Sequence, residues 1–226
     1  MAPLEPRIPL ATIDGMLIAA LRPHLDGTAS PDMRWRLKQL QRQDWPATIV
    51  GDPYLKRGYT IRQALRILAA MALLDAGFGP TPAVTLARNN ENAILAMIFA
   101  ATGDRKADGR PQPRYGVIRP ATLAHPGEPD ADLIMPRSRD SIIRDVDDLA
   151  SGRSILAIDF GGIGERALEV CRSSGPVDAL DQLDAVLAAA VRELGAGRGH
   201  VRHDAEAGDR YASPRRMRSD KTSGEV

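Results

Sequence analysis

Five residues within one eight-residue window, Arg34, Trp35, Arg36, Lys38 and Gln41, bring together the donors that recognise nucleic acid. Arginine and lysine neutralise phosphates and release counterions, which makes binding salt-dependent. Arginine, lysine and glutamine also offer donors to base edges in a major groove. Further along, Lys56, Arg57 and Arg62 add charge, and Tyr59 adds an aromatic ring. Between Ser30 and Arg66 eight basic residues stand against three acidic ones, whereas the whole chain carries a net charge of +1. Positive charge is therefore concentrated locally, in a protein with no global attraction for polyanions. The competing reading is a solvated helix face, with Trp35 and Tyr59 in the core.

A second cluster is Ala157-Ile158-Asp159-Phe160-Gly161-Gly162-Ile163-Gly164-Glu165. A strand, an Asp and glycines resemble the first phosphate loop of sugar-kinase and actin-like ATPases, where backbone N–H groups approach phosphate and the Asp serves a metal. That fold begins with this loop and needs far more chain after it than follows here. A tight turn, with positive φ at Gly161 and Gly162, is the favoured expectation. Other chemistry is sparse. His24, His125, His200 and His203 are scattered, and a metal site is not expected. Cys171 is the single cysteine, which excludes an internal disulfide, and its apolar neighbours suit a small core residue. Asp145, Asp147 and Asp148 read as a solvated helix face, and no Ser–His–Asp set can be singled out. A non-enzymatic protein without a cofactor is expected.

The elements that must position these residues follow from periodicity and punctuation. Residues 1–9 read as an extended or disordered lead. A helix starts near Ala11, capped by Thr12 or Asp14, and ends by Leu25, because Pro23 does not fit a helix interior. Ser30-Pro31 is a cap followed by proline at the first helical position. It opens the basic helix, in which Met33, Leu37 and Leu40 form the apolar stripe. Ala47–Val50 and Tyr54–Tyr59, separated by Gly51-Asp52-Pro53, suggest a short hairpin. Thr60 caps a helix to about Ala76, stopped by Gly77. Thr81-Pro82 starts the next, with a break and restart near Asn90.

Residues 103–138 are rich in Pro, Gly and charge and read as a linker or loose loops, with Tyr115–Ile118 the one strand-like patch. Arg139–Ala150 suggests a short amphipathic helix and Ser154–Phe160 a strand. Glu165–Cys171 fits either a strand or a helix. Pro176–Leu194 predicts a helix whose stripe of Val177, Leu180, Leu183, Leu187 and Val191 either joins two subunits or packs within its own unit. Residues 196–226 are nearly devoid of apolar side chains and predict a disordered tail. No signal peptide is visible and no apolar run is long enough for a membrane span, so a cytoplasmic protein with no membrane partner is expected.

Arg57-Gly58-Tyr59, then Ile61, Leu65 and Leu68, then Leu74, Gly77-Phe78 and a new helix with Val84 and Leu86, resemble the second half of the winged-helix domain of MerR-type transcription regulators. In that family a wing ending in Gly-Tyr leads into a helix, a Gly-Phe corner and another helix. The resemblance spans roughly residues 12–100. It implies that Ser30–Gln43 takes the recognition-helix position and Ala47–Tyr59 the wing, with double-stranded DNA as partner and a homodimer as a possible assembly. The chain departs from the family pattern in having Arg34-Trp35-Arg36-Leu37 where Arg and Tyr-Tyr are usual, and Thr60 where an Arg commonly follows the wing tyrosine. The expected architecture is mainly α. A winged helix-turn-helix-like domain at residues 10–102 is followed by a small α+β unit at 139–195, for dimerisation or partner binding, and a disordered tail. An interaction protein with no nucleic-acid role is the alternative.

Overall fold

The computed structural model describes residues 6–22, 31–46, 58–102, 113–118, 134–147, 155–174 and 177–197. Within them the chain is mainly helical. The helices are α1 (Leu10–Leu21), α2 (Pro31–Arg42), α3 (Ile61–Asp75), α4 (Pro80–Asn89), α5 (Glu91–Thr102), α6 (Arg139–Asp147), α7 (Phe160–Ser174) and α8 (Val177–Gly197). The strands β1 (Tyr115–Ile118), β2 (Met135–Arg137) and β3 (Leu156–Ile158) form one antiparallel sheet in the order β2-β1-β3. Among the described residues no helix is long and apolar enough to cross a membrane.

α3 is the central helix. Its apolar positions recur so densely that Ile61, Leu65, Ile67, Leu68, Met71 and Leu73 are all buried. Such a helix must be covered on several sides, and α1, α2, α4, α5, α7 and α8 all contact it. Its start is a reciprocal capping box. The Gln63 N–H donates to Thr60 Oγ1 at 3.3 Å, and the Thr60 N–H donates to Gln63 Oε1 at 3.0 Å. Two of the donors that a helix N-terminus leaves unpaired are thereby satisfied. At the other end Gly77 adopts φ +97°, which only glycine reaches without strain, and the chain turns through Phe78 into α4.

The segment before α1 is part of the core. Ile8 is fully buried, and its backbone exchanges two hydrogen bonds with Tyr59, from Ile8 N to Tyr59 O at 2.7 Å and from Tyr59 N to Ile8 O at 3.0 Å. This bridge explains Gly58. Its φ is +118°, and a Cβ there would lie 2.0 Å from the Ile8 carbonyl oxygen. The expected caps of α1 do not form: Pro9 occupies the cap position without a side-chain bond, and Thr12 is buried.

Residues 10–102 and 139–195 share one apolar core that runs from Ile8 to Ala190. α1 and α5 both lie against α7, and α5 also lies against α8. The helices approach closely because α7 is glycine-rich where it meets α5. A Cβ on Gly164 would come within 2.6 Å of Ile98, and one on Gly161 within 3.0 Å of Ala101. Leu183 and Leu187 of the α8 stripe, with Ala190, are buried in this core.

Tyr115–Ile118 is the central strand, and the ambiguous Glu165–Cys171 is helical. The strand expected over Ser154–Phe160 contracts to Leu156–Ile158, because Phe160 already starts α7. Phe160 packs over Gly116, whose missing side chain leaves the room: a Cβ there would sit 2.7 Å from the ring. Asn90 separates α4 from α5. Its buried amide donates to Leu86 O at 2.9 Å, and its oxygen accepts from Ile134 N at 2.8 Å, which ties the helical break to the segment entering β2. α8 continues past the expected stop, to Gly197.

Candidate nucleic-acid interface

α2 is amphipathic, and its geometry sorts the candidate residues. At about 100° per residue, Met33, Leu37 and Leu40 share one side, and all three are buried. Directly opposite stand Trp35 and Arg42, flanked by Lys38 and then Arg34. All four are exposed, Trp35 by 58% and the Arg34 side chain by 66%. A tryptophan that far out of the core carries apolar area that folding does not use. Arg34 makes a long ion pair of 3.3 Å to Asp14 of α1. Neither Lys38 nor Arg42 has an ion-pair partner among the described residues.

The other candidates on α2 are engaged by the fold. Arg36 sits at the edge of the buried stripe, where it contacts Asp32 at 3.0 Å and Asp75 of α3 at 3.6 Å. Asp75 also holds Arg22, at the end of α1, and that hydrogen bond raises the Arg22 pKa. Two arginines on one carboxylate lock the ends of α1 and α3 to α2. Gln41 donates to the Tyr59 hydroxyl at 2.7 Å. Tyr59 is 1% exposed, and burial pushes its pKa up, against the smaller opposite effect of the Gln41 hydrogen bond. Tyr59 is thus a post between the start of α3 and the back of α2.

Arg62, in the first turn of α3, meets Glu91 at 2.6 Å, and Arg66 meets the same carboxylate at 2.9 Å. Burial alone would raise the Glu91 pKa, but the hydrogen bonds and charges of Arg66 and Arg62 outweigh it and the net direction is down. Beside this cluster, Trp45 is buried. Its indole N–H donates to Arg66 O at 3.0 Å, and the guanidinium groups of Arg66 and Arg88 lie 5.9 and 5.7 Å from its ring. Lys56 and Arg57 lie outside the described residues, as do residues 47–57 of the hairpin expected over Ala47–Tyr59; Tyr59 itself pairs with Ile8.

The second cluster has a structural role that its sequence did not reveal. Gly161 and Gly162 lie in the first turn of α7, and neither has a positive φ, so the expected tight turn is replaced by a helix start. Asp159 caps that helix, its Oδ1 accepting from Gly162 N at 2.8 Å. Arg114 grips the same carboxylate with two bonds, of 2.7 and 3.1 Å, and reaches Glu165 at 3.2 Å. The Asp159 hydrogen bond raises the Arg114 pKa. A Cβ on Gly162 would lie 2.3 Å from the Arg114 guanidinium and 2.4 Å from the Asp159 carboxylate. The space that a phosphate loop keeps open at a helix N-terminus is occupied here by the chain's own ion pair. Cys171 is buried, and burial raises its pKa, away from the reactive thiolate. The four histidines lie outside the described residues.

Arg42 belongs to the polar, basic stripe of α2 that the sequence outlines but is not among the candidate contacts read from it; residues seven apart share a face, which sets it beside Trp35. No family model, curated protein or solved structure matches the chain.

Proposed function

We propose that this chain is a DNA-binding transcriptional regulator that docks on a duplex through the outer face of α2. The observation that carries this reading is the exposed Trp35 set among Arg34, Lys38 and Arg42, on the side of α2 opposite its buried stripe. Cations on a rigid helix supply the electrostatic affinity that phosphates reward, and a flat ring beside them adds apolar contact to sugar or base. The winged-helix resemblance supports the same assignment, since it places α2 in the recognition position and Lys56 and Arg57 in the wing. Selection of bound sequences from a random duplex library, at moderate and at high salt, tests it. Enrichment of one motif supports a sequence-specific regulator. Failure to retain any duplex at moderate salt overturns DNA binding.

The exposure of Trp35 also suits an adaptor without a nucleic-acid role, because tryptophan is a frequent anchor in protein interfaces. The two readings separate on charge. Lys38→Glu together with Arg42→Glu abolishes attachment to DNA but leaves an apolar anchor at Trp35 in place.

A further inference from the structure

We infer that α2 meets the phosphate backbone of the duplex with a row of three cations, Arg34, Lys38 and Arg42, and does not read bases. This rests on the DNA-binding reading and assigns the chemistry of that same surface. The row follows from spacing. The three residues are four apart, so each stands about 6 Å along the helix axis from the next, and the row is about 12 Å long. A single small anion cannot engage all of it, whereas a polyanion can.

Two of the α2 side chains best suited to base readout are engaged by the fold. The usual readers are a bidentate arginine and an amide. The Gln41 amide donates to Tyr59 at 2.7 Å, and Arg36 is held by Asp32 and Asp75 at 3.0 and 3.6 Å. Arg34 makes a long ion pair to Asp14 at 3.3 Å and stays largely exposed. Lys38 and Arg42 remain, exposed and without ion-pair partners among the described residues. Lysine acts on phosphate as a point charge. Asp32 and Arg36 pair with each other at the far edge, so no carboxylate of α2 lies within the row. Trp35, exposed beside Lys38 and Arg42, supplies the uncharged part of the contact.

The experiment is a fluorescence-polarisation titration of the full chain against two 30-base-pair duplexes of unrelated sequence, repeated over a range of salt. For the unmodified chain log K falls linearly with log salt. Arg42→Ala reduces the steepness of that line by about 0.9, and Lys38→Ala with Arg42→Ala by about 1.8, equally on both duplexes. Arg42→Lys keeps the original slope. Arg36→Ala, whose charge is already balanced within the protein, leaves the slope unchanged. Trp35→Ala weakens binding without altering the slope. A double variant that binds with the original slope, or that loses affinity on one duplex alone, overturns the inference and leaves DNA binding standing. Absence of binding by the unmodified chain at low salt overturns the DNA-binding reading itself. Circular dichroism of each variant separates lost contacts from lost fold.

Discussion

The amide of Gln41 donates a 2.7 Å hydrogen bond to the hydroxyl of Tyr59, and through it the back of α2 is fixed to the residue that opens the path into α3. Tyr59→Phe keeps the ring and removes the acceptor, at an expected cost of about 1 kcal/mol. Tyr59→Ala also empties a buried site and should cost about 3–5 kcal/mol. Urea denaturation followed by far-UV circular dichroism measures both. Equal losses for the two variants would show that the hydroxyl bond, and not the ring, carries the stabilisation.

Gly58 and Gly164 are expected to be intolerant of alanine for different reasons. At Gly58 the backbone is left-handed and the Ile8 carbonyl occupies the Cβ position, so Gly58→Ala combines strain with a clash against backbone. At Gly164 the clash is with the Ile98 side chain, which can shift. The expected losses are about 3 kcal/mol at Gly58 and about 1–3 kcal/mol at Gly164. The order of the two denaturation midpoints is the check.

Glu91 gives the fold an acid limit. Its pKa is lower in the folded chain than in the unfolded one, because Arg66 and Arg62 outweigh the burial that opposes ionisation. A group depressed in this way contributes its full stability above its unfolded pKa of about 4.3, and loses that contribution as pH falls through the lower folded value. Glu91→Gln should therefore destabilise the protein at pH 7 and flatten the loss of stability below about pH 4. Melting temperatures of the two proteins from pH 7 to 3 should converge.

Asp159→Ala removes the cap of α7 and strips Arg114 of its two bonds. A cap alone is worth about 0.5–2 kcal/mol, so a loss of at least about 1 kcal/mol is expected. Magnesium with ATP should not raise the melting temperature of the unmodified chain. A clear rise would reopen the phosphate-loop reading of Asp159–Gly164.

Trp35→Ala should change stability by no more than about 0.5 kcal/mol, since an exposed side chain away from caps and ion pairs contributes little to folding. A loss of several kcal/mol would place Trp35 in the structural core of the protein and remove it from the proposed contact face.

Helix positions were largely legible because their signals are local. Thr60 with Gln63, Gly77, and the apolar stripes of α2 and α3 each declare themselves within a few residues. The status of the charged residues was not legible, because the partner of a guanidinium lies far along the chain. Asp32, four residues before Arg36, is a local partner, but nothing near Arg36 announces Asp75, and nothing near Arg62 announces Glu91. Asp159 and its glycines misled for the same reason. A strand end followed by Asp and Gly-Gly suits a phosphate or an internal arginine equally, and Arg114 stands 45 residues away. Ile8 was lost to composition: a proline-flanked lead looks unstructured until Gly58 opens a place for it.

The seating of α7 between α1 and α5 bears on how the molecule would come apart. A fragment ending at Thr102 would leave Ile98, which lies against Gly164 of α7, without the cover it has in the full chain. Residues 10–102 share their apolar core with α7 and α8. Melting should proceed as a single transition, and a ligand bound anywhere on α7 or α8 would change the occupancy of the folded state in which α2 is presented.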